Sequence, residues 1–129
     1  MTNRSSLQTQ KERALDFLHM VVSGEIDQAY ESYVNMHGVH HNVYYSSEFA
    51  SLKRGMKESH SQFPNKRLMV KNVLGDGDLV AVHSHILMKE GEPGVSVVHI
   101  FRFEDGKIVE MWDVGQTIPV DSPNRRGAF

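Results

Sequence analysis

The chain has 129 residues, no cysteine, and 14 Lys and Arg against 16 Asp and Glu, a formal net charge of -2. Scattered basic residues exclude a phosphate-tracking surface for nucleic acid or an anionic membrane, apart from the short pair Arg125-Arg126. The missing cysteines exclude disulfides and thiolate catalysis and fit a cytoplasmic protein. The length suits one domain, residues 1–129, with a real core. The opening MTNRSSLQTQKERALDF is polar and lacks the apolar centre of a signal peptide. No apolar run approaches membrane-spanning length.

The front of the chain reads as helical. Leu15, Leu18, Val21 and Val22 give a helical stripe within Leu7 to Ser23, and Gly24 is a stop. Ile26, Ala29, Tyr30 and Tyr33 give a second helix. Asn35 to Val43, with one glycine and three histidines, is expected to be a loop. Ser46 to Gln62 reads as a third helix capped by Ser46 or Ser47, with Pro64 just past its end. Four strands follow: Arg67 to Leu74, Asp78 to Lys89, Gly94 to Phe103 and Lys107 to Gln116. Helices first, then consecutive antiparallel strands, predict an α+β domain with helices packed on one face of a curved sheet. Pro119 to Phe129 is polar and reads as an irregular tail.

The last two strands carry the most chemistry. Asp105-Gly106 between two apolar runs is a hairpin signal. A three-residue loop over Glu104, Asp105 and Gly106 would pair Phe103 with Lys107. Val97, His99, Phe101 and Phe103 would then share a face with Val109, Met111 and Asp113. His99 would lie opposite Met111 and diagonal to Asp113. A two-residue turn would put His99 and Asp113 on opposite faces. A carboxylate and an imidazole on an apolar face are ingredients of proton transfer.

Four stretches together resemble the SnoaL-like polyketide cyclases of the NTF2-like superfamily. They are His40-His41-Asn42, Asp76 to His83 (DGDLVAVH), His99 to Gln116 (HIFRFEDGKIVEMWDVGQ) and the closing PNRRGAF. The match is nearest to a subgroup described as aldol-condensation enzymes. The resemblance implies an α+β cone, a strongly curved antiparallel sheet wrapped by three N-terminal helices around an apolar pocket. It also implies a homodimer formed through the sheet. The cyclases use an acid/base Asp near the end of the last long strand and a His one hairpin arm earlier, which fall on Asp113 and His99. The chain departs from the family's common EHWDV in carrying Met111 before Trp112.

These readings give a set of expectations. Asp113 and His99 are the catalytic candidates. His41, Asn42, His83, Phe101 and Met111 are the candidates for binding substrate. His83 and His85 alternate on one strand face and enter the pocket if that face lines it. His41 and Asn42 would hydrogen-bond a substrate carbonyl or enolate. No metal or cofactor is expected, and the partner is a small, largely apolar molecule. The expected chemistry is acid/base work next to a carbonyl, giving an aldol-type cyclisation or an isomerisation. Two alternatives are a non-catalytic small-molecule binding module and a water-activating epoxide hydrolase. The hydrolase would need an arginine beside Asp113, whereas Arg102 is predicted to face the other way.

Overall fold

The structure, a computed structural model, describes residues 4–129. Helix α1 (Arg4–Ser23) is followed by α2 (Ile26–Tyr33), strand β1 (Val34–His40) and helix α3 (Phe49–Gln62). Strands β2 (Arg67–Asp76), β3 (Leu79–Leu87), β4 (Val95–Glu104) and β5 (Lys107–Thr117) complete one sheet in the order β1-β5-β4-β3-β2. Gly24, at φ +95°, ends α1 in the left-handed conformation, and the Gly24 and Glu25 N–H groups bond back to Val21 and Met20 carbonyls.

Several expectations about the frame are corrected. Val34 to His40 is a strand, and it lies parallel to β5, so the sheet is mixed and not wholly antiparallel. The sheet is also open and not strongly curled. Helix α3 starts at Phe49, later than predicted. Its cap residue is Glu48, which makes no side-chain capping bond. Ser46 and Ser47 are instead part of the segment that turns back along β1, where the His40 N–H donates to the Ser47 carbonyl at 3.0 Å.

One face of the sheet packs on the helices. Phe17 and Leu18 of α1, Tyr30 of α2, and Phe49 and Leu52 of α3 meet Val80, Val82, Phe101, Phe103, Ile108 and Met111 of the sheet. Phe17 stands edge-on to Tyr30 at 5.2 Å and to Phe101 at 5.9 Å, and Tyr30 does the same to Phe49 at 6.4 Å. Such pairs contribute about 0.5–1.5 kcal/mol each beyond the area they bury. They clamp all three helices to the centre of the sheet, leaving any ligand space towards its far end.

The β4–β5 hairpin reaches its facing by a different route from the one predicted. Asp105 (φ +51°) and Gly106 (φ +77°) are both left-handed, so the turn has two residues and Glu104 pairs with Lys107. Such a turn alone would put His99 and Asp113 on opposite faces. A bulge restores them. Phe103 pairs with Ile108 and Arg102 with Glu110, which leaves Val109 as an extra residue on β5. Beyond it, Phe101 pairs with Met111 and His99 lies directly across from Asp113.

Candidate functional site

The predicted pair comes together more closely than the diagonal placement implied. His99 and Asp113 are cross-strand partners, a relation that places Cβ atoms roughly 4.5–5.5 Å apart. Both line an apolar cavity of about 230 Å³ whose walls include Leu18, Val21, Leu68, Ile86, Val95 and Val97. Asp113 also lines a cleft of about 310 Å³ beneath Asn42, Val43 and Tyr44. It therefore stands where the cavity meets a route to solvent.

Asn42 fixes the carboxylate. Its Nδ2 donates to Asp113 Oδ2 at 2.9 Å. Its Oδ1 accepts the Tyr44 N–H at 3.0 Å, which orients the amide so that the NH₂ group faces Asp113. Its own backbone N–H donates to His40 Nδ1 at 3.0 Å. His40 thus accepts at Nδ1 and carries its ring proton on Nε2, which is buried without a partner. The chain His40–Asn42–Asp113 ties the edge strand β1 to the end of β5.

His99 is held neutral. Burial pushes its pKa below the ordinary 6.5, and the nearby Asp113 charge opposes that shift without reversing it. Its Nδ1 is buried without a hydrogen-bond partner, and its ring stacks on Phe101 at 6.0 Å. A neutral imidazole beside a fixed carboxylate can donate one N–H to a developing oxyanion while the carboxylate accepts a proton. The Tyr30 hydroxyl is another buried group without a partner. Burial raises its pKa, and the Asp113 charge adds to the rise.

None of the five predicted substrate contacts lines this cavity; Asn42 borders the adjoining cleft, with its amide committed to Asp113 and Tyr44. His41 points to the outer face of the sheet, where its Nε2 pairs with Glu110 Oε2 at 2.7 Å and its ring stacks on Trp112 at 5.1 Å. Successive strand residues alternate sides, so the inward neighbour is His40. His83 is also on the outer face, because Val82, its neighbour, is the residue paired with His99. His83 bonds Asn72 at 3.1 Å and Ser96 at 3.0 Å, and packs near the Phe129 ring. His85 follows it outward and bonds the Pro93 carbonyl at 2.6 Å. Phe101 and Met111 face inward as predicted, but they are core residues, 0% and 4% exposed. They support His99 and Asp113 from below and are not among the cavity-lining residues.

Sequence reasoning missed Lys66 and Ser59, which line the same cavity. Lys66 precedes β2 in an irregular connection, where no periodic pattern assigns a direction to a side chain. Arg102 lies outward, bonded to Glu110 at 3.0 Å, and so does not join Asp113. Glu110 is held below the usual carboxylate range by its hydrogen bonds from His41 and then Arg102. Among the described residues, no group of three or more His, Asp or Glu side chains is arranged to hold a metal ion. No helix among them is long and apolar enough to cross a membrane.

Comparison with known proteins agrees with this architecture. A sequence profile described as a SnoaL-like domain matches residues 14–111. Among solved structures, a proposed polyketide cyclase from Acidithiobacillus ferrooxidans is 18% identical. That match covers 90% of this chain and 92% of the other at a TM-score of 0.68. A proposed isomerase of the SnoaL-like family from Agrobacterium tumefaciens is 10% identical over 84% of this chain and 98% of the other, at 0.69. A proposed hydroxylase from Streptomyces galilaeus is 23% identical over 86% and 91%, at 0.70. At these identities the likeness establishes the fold alone. No curated protein matches the chain by sequence.

Proposed function

Since the chain belongs to the SnoaL-like domain family, we propose that it is an acid/base enzyme acting on carbon next to a carbonyl, with Asp113 as the base and His99 as its partner. The observation that carries this reading is the direct cross-strand pairing of His99 with Asp113 at the end of an apolar cavity. Asp113 takes the proton from the carbon, and the C–H electron pair moves into an enolate. The neutral His99 N–H donates to the enolate oxygen. The enolate carbon then attacks a second carbonyl of the same molecule, whose oxygen takes up the proton. Alternatively the proton returns to a different carbon, which gives isomerisation. Fixed positions and oriented donors in a water-poor site stabilise such a charge, so these steps draw only on the side chains named.

Support for Asp113 comes from its unshared oxygen. Asn42 occupies Oδ2, leaving Oδ1 for the substrate proton. Water activation on an epoxide is less well supported, because Arg102 is engaged with Glu110 on the opposite face.

The test is deuterium exchange from solvent into 1,3-dicarbonyl probes, followed by NMR for the wild type and Asp113→Asn. The wild type should catalyse exchange, and the variant should lose about 100-fold or more of the rate. Equal exchange by the two proteins removes Asp113 as the base. Tight probe binding with no exchange above background identifies a binding module in place of an enzyme.

A further inference from the structure

The cavity has a second polar end, which the proposed chemistry does not use. Lys66 lies in the connection between α3 and β2 and lines the same space as His99 and Asp113. Its Nζ donates to Ser59 Oγ at 2.7 Å. An ammonium has three donors, and among the described residues no carboxylate pairs with this one. The rest of the wall is aliphatic or thioether: Leu18, Val21, Met56, Leu68, Ile86 and Met88. Partial burial depresses the Lys66 pKa. Lys66 is only half-buried, and an anion entering the cavity would give it the charged partner that cations against apolar walls ordinarily have.

The spacing of the two ends gives the ligand its shape. Leu68, one residue into β2 from Arg67, is paired with Ile86, which is in turn paired with Val95. From Val95 to His99 is four residues of extended strand, roughly 13 Å. We propose that Lys66 and Ser59 form an anion-binding subsite, and that the ligand is an amphipathic carboxylic acid whose apolar body runs from Lys66 towards His99 and Asp113. This subsite rests on the cavity serving as the ligand site, but not on Asp113 acting as a base. A carboxylate gives Lys66 the acceptors it lacks and cancels its charge in a low-dielectric setting. The aliphatic walls cover the body, and the far end of the ligand meets the proton-transfer pair. An alcohol of the same length fills the walls without neutralising the charge, and an ammonium is repelled.

The experiment compares three head groups on one tail: octanoate, octanol and octylammonium, each titrated calorimetrically into the full chain at neutral pH. The wild type should bind octanoate about tenfold or more tightly than octanol, with octylammonium weakest. Lys66→Met should reduce the octanoate preference to within about twofold while leaving octanol binding in place, and Lys66→Arg should keep the preference. Asp113→Asn should also keep it, so a failed base assignment is distinguishable from a failed subsite. Equal binding of octanoate and octanol by the wild type overturns the proposal without any variant being needed. So does the absence of binding by all three. A preference that survives in a folded Lys66→Met overturns it as well.

Discussion

Replacing Gly38 with alanine tests how the edge strand is seated against the hairpin bulge. A Cβ on Gly38 would lie 2.8 Å from the Val109 carbonyl carbon and 3.0 Å from the Phe49 ring, and closer still to the Val109 oxygen. Ordinary carbon–carbon contacts lie at roughly 3.5–4.0 Å. The obstacle is backbone at the bulge, which cannot turn away as a side chain would. Strand β1 must therefore retreat by about 1 Å or lose its pairing there, and overpacking of this kind costs about 1–3 kcal/mol. Taking about 2 kcal/mol, a chain of this size should melt roughly 6–10 °C lower. Gly38 is not among the left-handed glycines, so the cost is steric and not conformational. Gly115→Ala is the control, since its nearest neighbour is at 3.6 Å, and it should change stability by less than about 0.5 kcal/mol. The assay is paired thermal and urea unfolding of the three proteins. If Gly38→Ala melts within about 2 °C of the wild type, β1 is not held against the bulge as described and the reasoning fails.

Two further outcomes follow from the site. Because His99 binds its proton less readily when folded than at its ordinary 6.5, the unfolded chain holds more protons just below that pH. Folding stability contributed by a neutral His99 is therefore present above about 6.5 and is lost as the pH falls below it, levelling off once the folded pKa is passed. Urea unfolding across about pH 7.5 to 5 should show a shallower loss for His99→Gln than for the wild type; parallel curves would contradict the buried neutral histidine. Asn42→Ala removes the donor to Asp113 and the cap on Tyr44. It should slow dicarbonyl exchange by about tenfold while the core stays folded, and an unchanged rate would show that Asp113 needs no holding.

The parts of the fold that were legible in the sequence are those with a clean period. Helix α2 falls on Ile26–Tyr33 as the Ile26, Ala29, Tyr30 spacing predicts, and the four later strands begin within a residue or so of their predicted starts. Strand β1 was not legible. It has two buried ends, Val34 and His40, around exposed or half-exposed Asn35, Met36, His37, Gly38 and Val39. Its register against β5 shifts between Val34 and Val39, so neither alternation nor a turn signal survives. Missing that strand also misplaced its histidines. Once the segment is extended, the side-to-side alternation sends His40 inward and His41 outward. His83 failed for a related reason. Alternation groups His83 with His85 but does not say which side of the sheet the helices cover. Asp113 and His99 were found together although the predicted turn was one residue too long, because the bulge at Val109 supplies the residue the turn does not. Lys66 has no such pattern, since its role depends on a cavity wall assembled from α1, α3 and four strands.

The bulge makes chain length in this hairpin a two-valued quantity. Strand residues alternate with a period of two, so one residue more or less in the β5 arm between Lys107 and Asp113 exchanges what faces the helices for what faces outward. Deleting a residue there would offer Val114 to the cavity and carry Asp113 to the outer side. Extending the turn at Asp105-Gly106 changes only the loop closure, a slowly varying cost, provided the strands keep their register. A diverging lineage or a designer can therefore alter the tip of this hairpin freely, while a single insertion in its arm works as an on–off change to the chemistry.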